Sequence, residues 1–309
     1  MRVDVHAHHY PAELMAIMEN TGAFGRPHGG PPVTMEQRLE LMSAHGIARQ
    51  IISVGSRQPY SASDPTVALA AARQANDVYA ETVSGIGPRL AAFGCLPLPH
   101  LDFALSELAR CLDELRMPGI NLGCSVAGRA LDEPEFDPLW QELNRRQAVV
   151  FLHPLALQTP MIDSLGLAFL VGTRFEDTLA AVRLVLSGLT TRYLDVKVIV
   201  SHLGGAIPYM WARVVDGARR NPDKQVDGEK AFRRLFYDSV SNAPAAMLCA
   251  CQTVGASQIL FGTDYPYLGS GTDFGETVRY IEQAGIPQAE VDAILNHNAQ
   301  RVLGMPDQD

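Results

Sequence analysis

The chain has 309 residues, of which 47% are hydrophobic and 19% charged, so it can bury a large core and is not expected to be disordered. Its formal net charge is −9, and no basic run is available to neutralise phosphates, which argues against a nucleic-acid partner. The five cysteines lack zinc-finger spacing and are expected to be reduced. The N-terminus has no signal-peptide pattern, and the most apolar long run, 155–171, is interrupted by polar residues and proline, so no transmembrane helix is predicted. We therefore expect a cytoplasmic protein.

Short apolar runs rich in Val and Ile predict eight β-strands. In chain order they are Arg2–His6, Arg49–Val54, Leu90–Leu96, Gly119–Leu122, Ala148–His153, Asp195–His202, Leu235–Val240 and Gln258–Thr263. Amphipathic stretches between and after them predict helices. These are Thr34–His45, Asp64–Ser84, Leu101–Leu115, Glu133–Arg146, Phe175–Gly188, Pro208–Arg220, Ala243–Val254, Thr272–Ala284 and a final helix, Pro287–Leu303.

Strand and helix alternating eight times is typical of a (β/α)8 TIM barrel, which we expect to form one domain over residues 1–309. A doubly wound open sheet is the alternative, but no Gly-rich dinucleotide or phosphate loop follows any predicted strand. Two irregular segments, Gly22–Pro32 and the stretch from His153 to Gly172, follow strands. They are expected to form lids or pocket walls, or simply to cover the barrel mouth.

Two histidines stand where the first strand is expected to end. Side chains alternate along a strand, so His6 and His8 point to the same side and can present two imidazoles to one ion. Neutral imidazole is a common ligand for zinc and also suits iron and nickel. The pair on its own could equally be two exposed histidines near a terminus.

Polar side chains also follow three other predicted strands. His153 ends strand 5, His202 ends strand 6 and Asp264 follows strand 8. In a barrel these ends meet at one mouth together with His6 and His8. Three imidazoles and a carboxylate complete a mononuclear metal site that keeps one coordination position open, so the sequence predicts such a site.

The chain resembles the amidohydrolase superfamily, and within it the amidohydrolase-related branch typified by aminocarboxymuconate semialdehyde decarboxylase. The resembling pieces span nearly the whole chain in the family's order. They are Asp4-Val-His6-Ala-His8, Phe151-Leu-His153-Pro154, Ser201-His202-Leu-Gly-Gly-Ala-Ile-Pro208, Tyr237-Asp238-Ser239 and Phe261-Gly-Thr-Asp264-Tyr-Pro266.

The resemblance implies that His6, His8, His153 and Asp264 bind the metal, with His202 as an acid/base beside a metal-bound water. A divalent ion lowers the pKa of its water from about 15.7 toward roughly 7, and the second oxygen of Asp264 can accept or return a proton. His202 can orient that water or relay its proton.

The number of ions follows from the end of strand 4. Binuclear members of the superfamily use a carboxylated lysine there, whereas this sequence offers Asn121 and Cys124. The resemblance therefore implies one divalent ion, expected to be Zn²⁺.

The resemblance favours a non-oxidative decarboxylase of a small aromatic or muconate-like carboxylic acid. A hydrolase of a lactone, amide or related bond is the alternative, because hydroxide could attack a carbonyl with the same residues. A metal-binding structural or regulatory protein is the least favoured interpretation, since the open coordination position would have no use.

Three arginines are candidates for binding the substrate. Arg57, just after strand 2, is expected to bind a substrate carboxylate at the barrel mouth, and a solvated loop arginine is the alternative. Arg219 and Arg220 lie where the resembling decarboxylases place an arginine that reaches a partner subunit's site, although exposed arginines at a helix end are the interpretation we favour. A homodimer is the expected assembly.

Overall fold

The computed structural model describes residues 1–20, 34–58, 64–156, 159–221, 226–241, 243–267 and 274–305. The strands of this part of the chain are β1 Arg2–His8, β2 Ile47–Ser53, β3 Leu90–Ala92, β4 Ile120–Gly123, β5 Ser125–Val126, β6 Arg129–Ala130, β7 Val149–His153, β8 Lys197–Val200, β9 Phe236–Asp238 and β10 Ile259–Leu260. β5 and β6 form a small antiparallel hairpin, and the other eight strands pair in parallel.

The eight parallel strands close into a ring. Hydrogen bonds order them as β1-β2-β3 and as β10-β9-β8-β7-β4. A parallel bridge between Gly94 and Ile120 joins β3 to β4, and one between Ala7 and Tyr265 joins β1 to the segment after β10. The amide of His8 donates to the carbonyl of Tyr265 at 2.7 Å across this second seam. The predicted (β/α)8 barrel is confirmed.

Helices surround the ring, and the predicted alternation is confirmed. They are α1 Ala12–Asn20, α2 Met35–Ala44, α3 Pro65–Ile86, α4 Leu101–Ala109, α5 Asp137–Arg145, α6 Thr173–Leu186, α7 Leu189–Arg192, α8 Ile207–Arg220, α9 Gly228–Phe232, α10 Pro244–Ala250, α11 Gly275–Glu282, α12 Gln288–Asp292 and α13 Asn298–Leu303. Single π-helical turns extend α4 and α10 and connect α12 to α13, so the final helix extends almost as far as expected.

Two of the helix starts expected from the sequence, those at Thr34 and Asp64, are confirmed. Thr34 Oγ1 accepts from the Gln37 amide at 3.2 Å, and the Gln37 side chain accepts from the Thr34 amide at 3.0 Å, which is a capping box. Asp64 accepts from the Thr66 amide at 2.8 Å, immediately before Pro65 at the first helical position.

Helices α1, α7 and α9 and the β5–β6 hairpin were not expected from the sequence. Helix α1 buries Leu14 and Met18, four residues apart, against the barrel. The β5–β6 hairpin turns at Ala127 and Gly128, whose φ angles of 49° and 78° are those of a tight hairpin turn with both central residues left-handed. Alanine rarely occupies that conformation, so the turn left no recognisable signal.

The core has two layers. Inside the ring, Val5, Phe93, Phe151 and Ile199 pack together above the C-terminal helix α13. A larger cluster fills the space between strands and helices. The barrel interior is therefore apolar at its base, and polar side chains gather at the opposite mouth.

Among the described residues, no helix is long and apolar enough to cross a membrane. All five cysteines are free thiols, as expected. The irregular segment Gly22–Pro32 lies outside the described residues. The segment after His153 ends in a helical turn, Ala168–Gly172, that leads directly into α6.

Candidate metal centre

Five polar side chains converge at the barrel mouth, and all five residues are buried. His6 and His8 come from the end of β1, where an irregular register sets both toward the barrel interior. His153 ends β7, His202 follows β8 and Asp264 follows β10. The structure therefore brings together all five side chains that the sequence singled out.

The carboxylate of Asp264 lies among the imidazoles. Its Oδ1 is 3.2 Å from His6 Nε2 and 3.1 Å from His8 Nε2, and these two nitrogens are 3.1 Å apart. Candidate ligand atoms of His6, His153, His202 and Asp264 all lie within 4.8 Å of one another. The predicted ligand set contains His8, and this cluster contains His202 instead. Both sets share His6, His153 and Asp264, so they would hold an ion in the same place.

Hydrogen bonds at Nδ1 aim the Nε2 atoms of three histidines toward this point. A histidine that donates from Nδ1 leaves the Nε2 lone pair available for a metal ion. The three donations are His6 Nδ1 to Asp238 Oδ2 (2.5 Å), His8 Nδ1 to the Ser53 carbonyl (3.3 Å) and His153 Nδ1 to the Pro154 carbonyl (2.8 Å).

The charge states suit a cation. Burial, together with neighbouring histidines, holds the pKa of His153 well below its usual value, and burial also lowers the pKa of His8. Burial tends to raise the pKa of Asp264, but His6 and hydrogen bonds from the surrounding imidazoles hold it well below the usual range. Burial likewise opposes protonation of His6, yet the carboxylates of Asp264 and Asp238 raise its pKa to about 10. A divalent ion would replace the proton that His6 otherwise holds.

These residues fit one divalent metal ion. Neutral imidazole nitrogens and one carboxylate oxygen are the donors that catalytic zinc and manganese sites use. At the end of β4, where a second ion would need a carboxylated lysine, the Asn121 amide oxygen accepts from Gln58 Nε2 at 2.8 Å. Cys124, the other candidate there, donates instead to Asp177 at 3.6 Å.

His202 has its own carboxylate partner. Its Nδ1 lies 2.8 Å from Asp177 Oδ2, and its Nε2 lies 3.6 Å from Asp264 Oδ2. Burial and the charge of Arg174 lower the pKa of His202, but Asp177 and Asp264 together outweigh them and raise it. Sequence reasoning missed Asp177. Its one signal is an acidic residue on the apolar face of α6, beside Ala180 and Ala181.

The backbone at the site adopts a conformation that side chains other than glycine rarely take. His202, Leu203 and Asp264 have φ angles of 52°, 57° and 55°. At Gly55 a Cβ would lie 2.4 Å from the His8 ring, so only glycine allows this close approach.

Asp4 ties the first strand to its neighbours beneath the site. Its oxygens accept from the His6 amide (3.0 Å), Gln50 Nε2 (2.7 Å), the Thr263 amide (3.0 Å) and Thr263 Oγ1 (2.6 Å). Arg38 donates to both Gln50 and the His8 carbonyl from the outer side. The strand ends that carry His6, His8 and Asp264 are held in register by this network.

Arg57 lies at the mouth and is only 7% exposed, so it is not a solvated loop side chain. Its guanidinium is 4.4 Å from the ring centroid of Tyr10, which itself stacks beside His8 at 6.1 Å. Arg219 and Arg220 are exposed at the end of α8, where Arg220 pairs with Asp216 at 2.7 Å. Because α8 begins beside His202 and runs away from the mouth, these two arginines are distant from the site of their own chain.

A closed barrel with a histidine and aspartate cluster at its carboxyl end defines a metal-dependent TIM-barrel enzyme. The family model described as "Amidohydrolase" matches residues 3–305, so the chain belongs to the amidohydrolase family.

Relatives of known activity cover most of the chain. The 6-methylsalicylic acid decarboxylase acuB of Aspergillus aculeatus is 31% identical over 328 residues, covering 98% of this chain and 96% of the relative. The 2-amino-3-carboxymuconate-6-semialdehyde decarboxylase of Dictyostelium discoideum is 28% identical over 247 residues, covering 78% and 68%. A dihydroxybenzoic acid decarboxylase from Polaromonas sp. JS666, solved with manganese and 2-nitroresorcinol, superposes with a TM-score of 0.82 at 25% identity, covering 98% and 96%.

Proposed function

We propose that the protein is a metal-dependent, non-oxidative decarboxylase of a small aromatic or muconate-like carboxylic acid. The observation that carries this proposal is that the two carboxylate oxygens of Asp264 face different partners. Its Oδ1 faces His6 and His8, whereas its Oδ2 faces His202 at 3.6 Å. One carboxylate thus connects a metal-binding half of the site to a proton-transferring half. The decarboxylases that resemble the chain over most of its length support the same reaction.

His6, His8, His153 and Asp264 would hold one divalent ion, which we propose to be Zn²⁺, with Mn²⁺ as the competitor because the Polaromonas structure contains manganese. When bound, the ion supplies Lewis acidity that polarises substrate oxygens and stabilises developing negative charge.

The side chains of the chain itself supply the proton. Decarboxylation breaks the bond to the carboxylate carbon, releases carbon dioxide and leaves an electron pair on the carbon that remains. That carbon needs one proton. His202 Nε2 faces the site, is within reach of Asp264 Oδ2 and is therefore the proposed donor.

Arg57 is the proposed partner of the substrate carboxylate. Its planar guanidinium can bind a carboxylate with two hydrogen bonds, and its stacking on Tyr10 fixes its orientation beside His8. A lysine at this position could not reproduce that geometry, so Arg57→Lys is expected to raise KM more than it lowers kcat.

The test supplies metal-loaded enzyme with 6-methylsalicylic acid and with dihydroxybenzoic acids and measures carbon dioxide release. We expect His202→Asn to keep its metal while turnover falls by about 100-fold or more, the range for loss of a positioned proton donor. His6→Ala, His8→Ala and His153→Ala should each lose metal in elemental analysis. Acid production by ring opening of a lactone, without carbon dioxide release from any acid, would instead identify a hydrolase.

Two further properties belong to this proposal. A homodimer is supported by an exposed apolar surface on and before α6, which we call the α6 patch. It comprises Met161 (85% exposed), Leu165 (85%), Leu170 (71%), Phe175 (52%) and Leu179 (62%).

A cytoplasmic location is supported by the five free thiols and is tested by fractionation of the native source.

A further inference from the structure

The N-terminal half of α6 holds the loop that carries His202. Thr178 Oγ1 accepts from the Ala206 amide at 2.8 Å and donates to the Arg174 carbonyl at 2.7 Å. A Cβ on Gly205 would lie 2.0 Å from that same carbonyl, so loop and helix are in direct contact. The position of His202 therefore depends on an element that contributes none of the proposed metal ligands.

Asp177 is the residue of α6 that reaches the imidazole. It is fully buried, and its two oxygens have distinct partners. Oδ2 accepts from His202 Nδ1 at 2.8 Å, while Oδ1 accepts from Ser201 Oγ at 2.8 Å and from the Cys124 thiol at 3.6 Å. Every hydrogen bond on Oδ1 thus fixes the carboxylate in the orientation that presents Oδ2 to His202.

A buried carboxylate at position 177 lowers the stability of the folded protein. Burying an ionised group costs free energy that hydrogen bonds rarely return in full, and an apolar side chain among Ala180, Ala181 and Leu184 would pack without that cost. Burial raises the pKa of Asp177, which is the physical sign of the cost. Because the contact between Asp177 and His202 contributes so little to stability, we look for its role in the reaction.

We propose that Asp177 is a positioning residue for the proton transfer by His202. Its carboxylate keeps the proton of the neutral imidazole on Nδ1, so that Nε2 faces Asp264 and the substrate. It also stabilises the imidazolium while His202 holds the proton that it will donate. This proposal rests on the proposed role of His202 in decarboxylation.

The test compares Asp177→Asn with Thr178→Val, a nearby variant that loosens the same loop without touching the imidazole. Asparagine keeps the size and one acceptor but removes the charge. In serine proteases the corresponding change beside a catalytic histidine costs about 10⁴-fold in kcat. We expect Asp177→Asn to lower kcat by at least ~10-fold with KM and metal content little changed. Thr178→Val should reduce thermal stability with a much smaller effect on kcat.

Equal losses of kcat in the two variants at equal losses of stability would reduce Asp177 to a structural residue and overturn the proposal. So would an Asp177→Asn enzyme with unchanged kcat. Ser201→Ala refines the comparison, since it removes one donor to Oδ1 and leaves the Oδ2 bond to His202 in place. Its kcat should lie between those of Asp177→Asn and the wild type.

A second measurement needs neither turnover nor a folded variant at position 177. In the metal-loaded wild type, ¹⁵N-histidine NMR should show an Nδ1-bonded proton that disappears in His202→Asn. A His202 proton found on Nε2 in the neutral imidazole would overturn the proposal. If the wild type decarboxylates none of the acids while this resonance is present, the proposed function fails and the geometry inferred for Asp177 remains.

Discussion

At the scale of single residues, the proposed metal centre gives one carboxylate, that of Asp264, two separate roles. Asp264 has a left-handed backbone, with φ 55°, and its amide donates to the His6 carbonyl at 2.8 Å. This tie to β1 aims one oxygen at the histidines of that strand and leaves the other facing His202. A catalytic group held this firmly tolerates little displacement.

Asp264→Asn separates the two tasks. The amide keeps one potential oxygen ligand but loses the negative charge and the basic oxygen, so we expect a moderate loss of metal affinity and a nearly complete loss of turnover under saturating metal. Metal occupancy is measured in the same samples by elemental analysis. Asp264→Glu keeps the charge but displaces it by one methylene and should also lose most of the turnover. Near-normal turnover in a fully metallated Asp264→Asn enzyme would show that the basic oxygen of Asp264 takes no part in the proton transfer by His202.

His6 makes metal binding depend on pH. The adjacent carboxylates raise its pKa from 6.5 to about 10, so the metal-free protein holds a proton on His6 at neutral pH that the ion must displace. Affinity should therefore rise with pH, by up to about tenfold per unit between pH 6 and 8 for one released proton. Calorimetry in two buffers of different ionisation enthalpy counts that proton. Asp238→Asn should flatten the dependence, and a pH-independent affinity in the wild type contradicts the assignment.

The sequence predicts some site residues much better than others. His6 and His153 end predicted strands and Asp264 follows one, and the barrel alone brings such positions to one mouth, so the sequence was enough to locate them. Asp177 could not be, because its contact with His202 depends on the rotation of α6 and the path of the segment before it. The burial of Arg57 against Tyr10 likewise depends on how two loops pack.

At the scale of elements, Asp4 joins three strands through four accepted hydrogen bonds. Its partners lie on β1 itself, on β2 at Gln50, and after β10 at Thr263. Burial raises the pKa of Asp4 to about 6, so its carboxylate is ionised at neutral pH. Each of its oxygens accepts hydrogen bonds, and the Thr263 hydroxyl acts as a donor to one of them.

Asp4→Asn should therefore destabilise the protein. The amide group replaces one acceptor with a donor, which leaves at least one buried donor unpaired, at a cost of about 1–3 kcal/mol in the free energy of unfolding. Chemical denaturation of metal-free protein measures this without interference from the metal. Thr263→Val removes one donor to Asp4 together with the acceptor of the Tyr265 amide, so it should also destabilise the protein. Unchanged stability in Asp4→Asn would mean that the network contributes little.

Predicted and observed elements differ mainly in length. β3 ends at Ala92 rather than Leu96, because residues beyond Ala92 leave the ladder after the single bridge at Gly94. The alternation of strands and helices follows from hydrophobic periodicity and could be predicted, whereas strand ends depend on which neighbours lie within hydrogen-bonding distance. The β5–β6 hairpin was missed for a different, local reason, since its turn uses Ala127 at a positive φ.

At the scale of the whole molecule, the α6 patch lies on the outer side of the helix whose inner side carries Asp177. Phe175 and Leu179 are four residues apart and form one exposed stripe of α6. We expect the wild type to sediment at about twice the chain mass of 33.6 kDa, and the double variant Phe175→Asp, Leu179→Asp to sediment as a monomer. Val67→Asp, on the exposed side of α3, is the matched control. A wild type that is monomeric at micromolar concentration contradicts the dimer.

The seam between the first and last strands has a consequence for the order of events during biosynthesis. His6 and His8 leave the ribosome well before Asp264, whose carboxylate would complete their site and which lies 256 positions after His8. A nascent chain therefore exposes two strongly coordinating imidazoles long before it can discriminate between ions. We therefore expect selectivity to arise only when the barrel closes, which would make metal acquisition a late step.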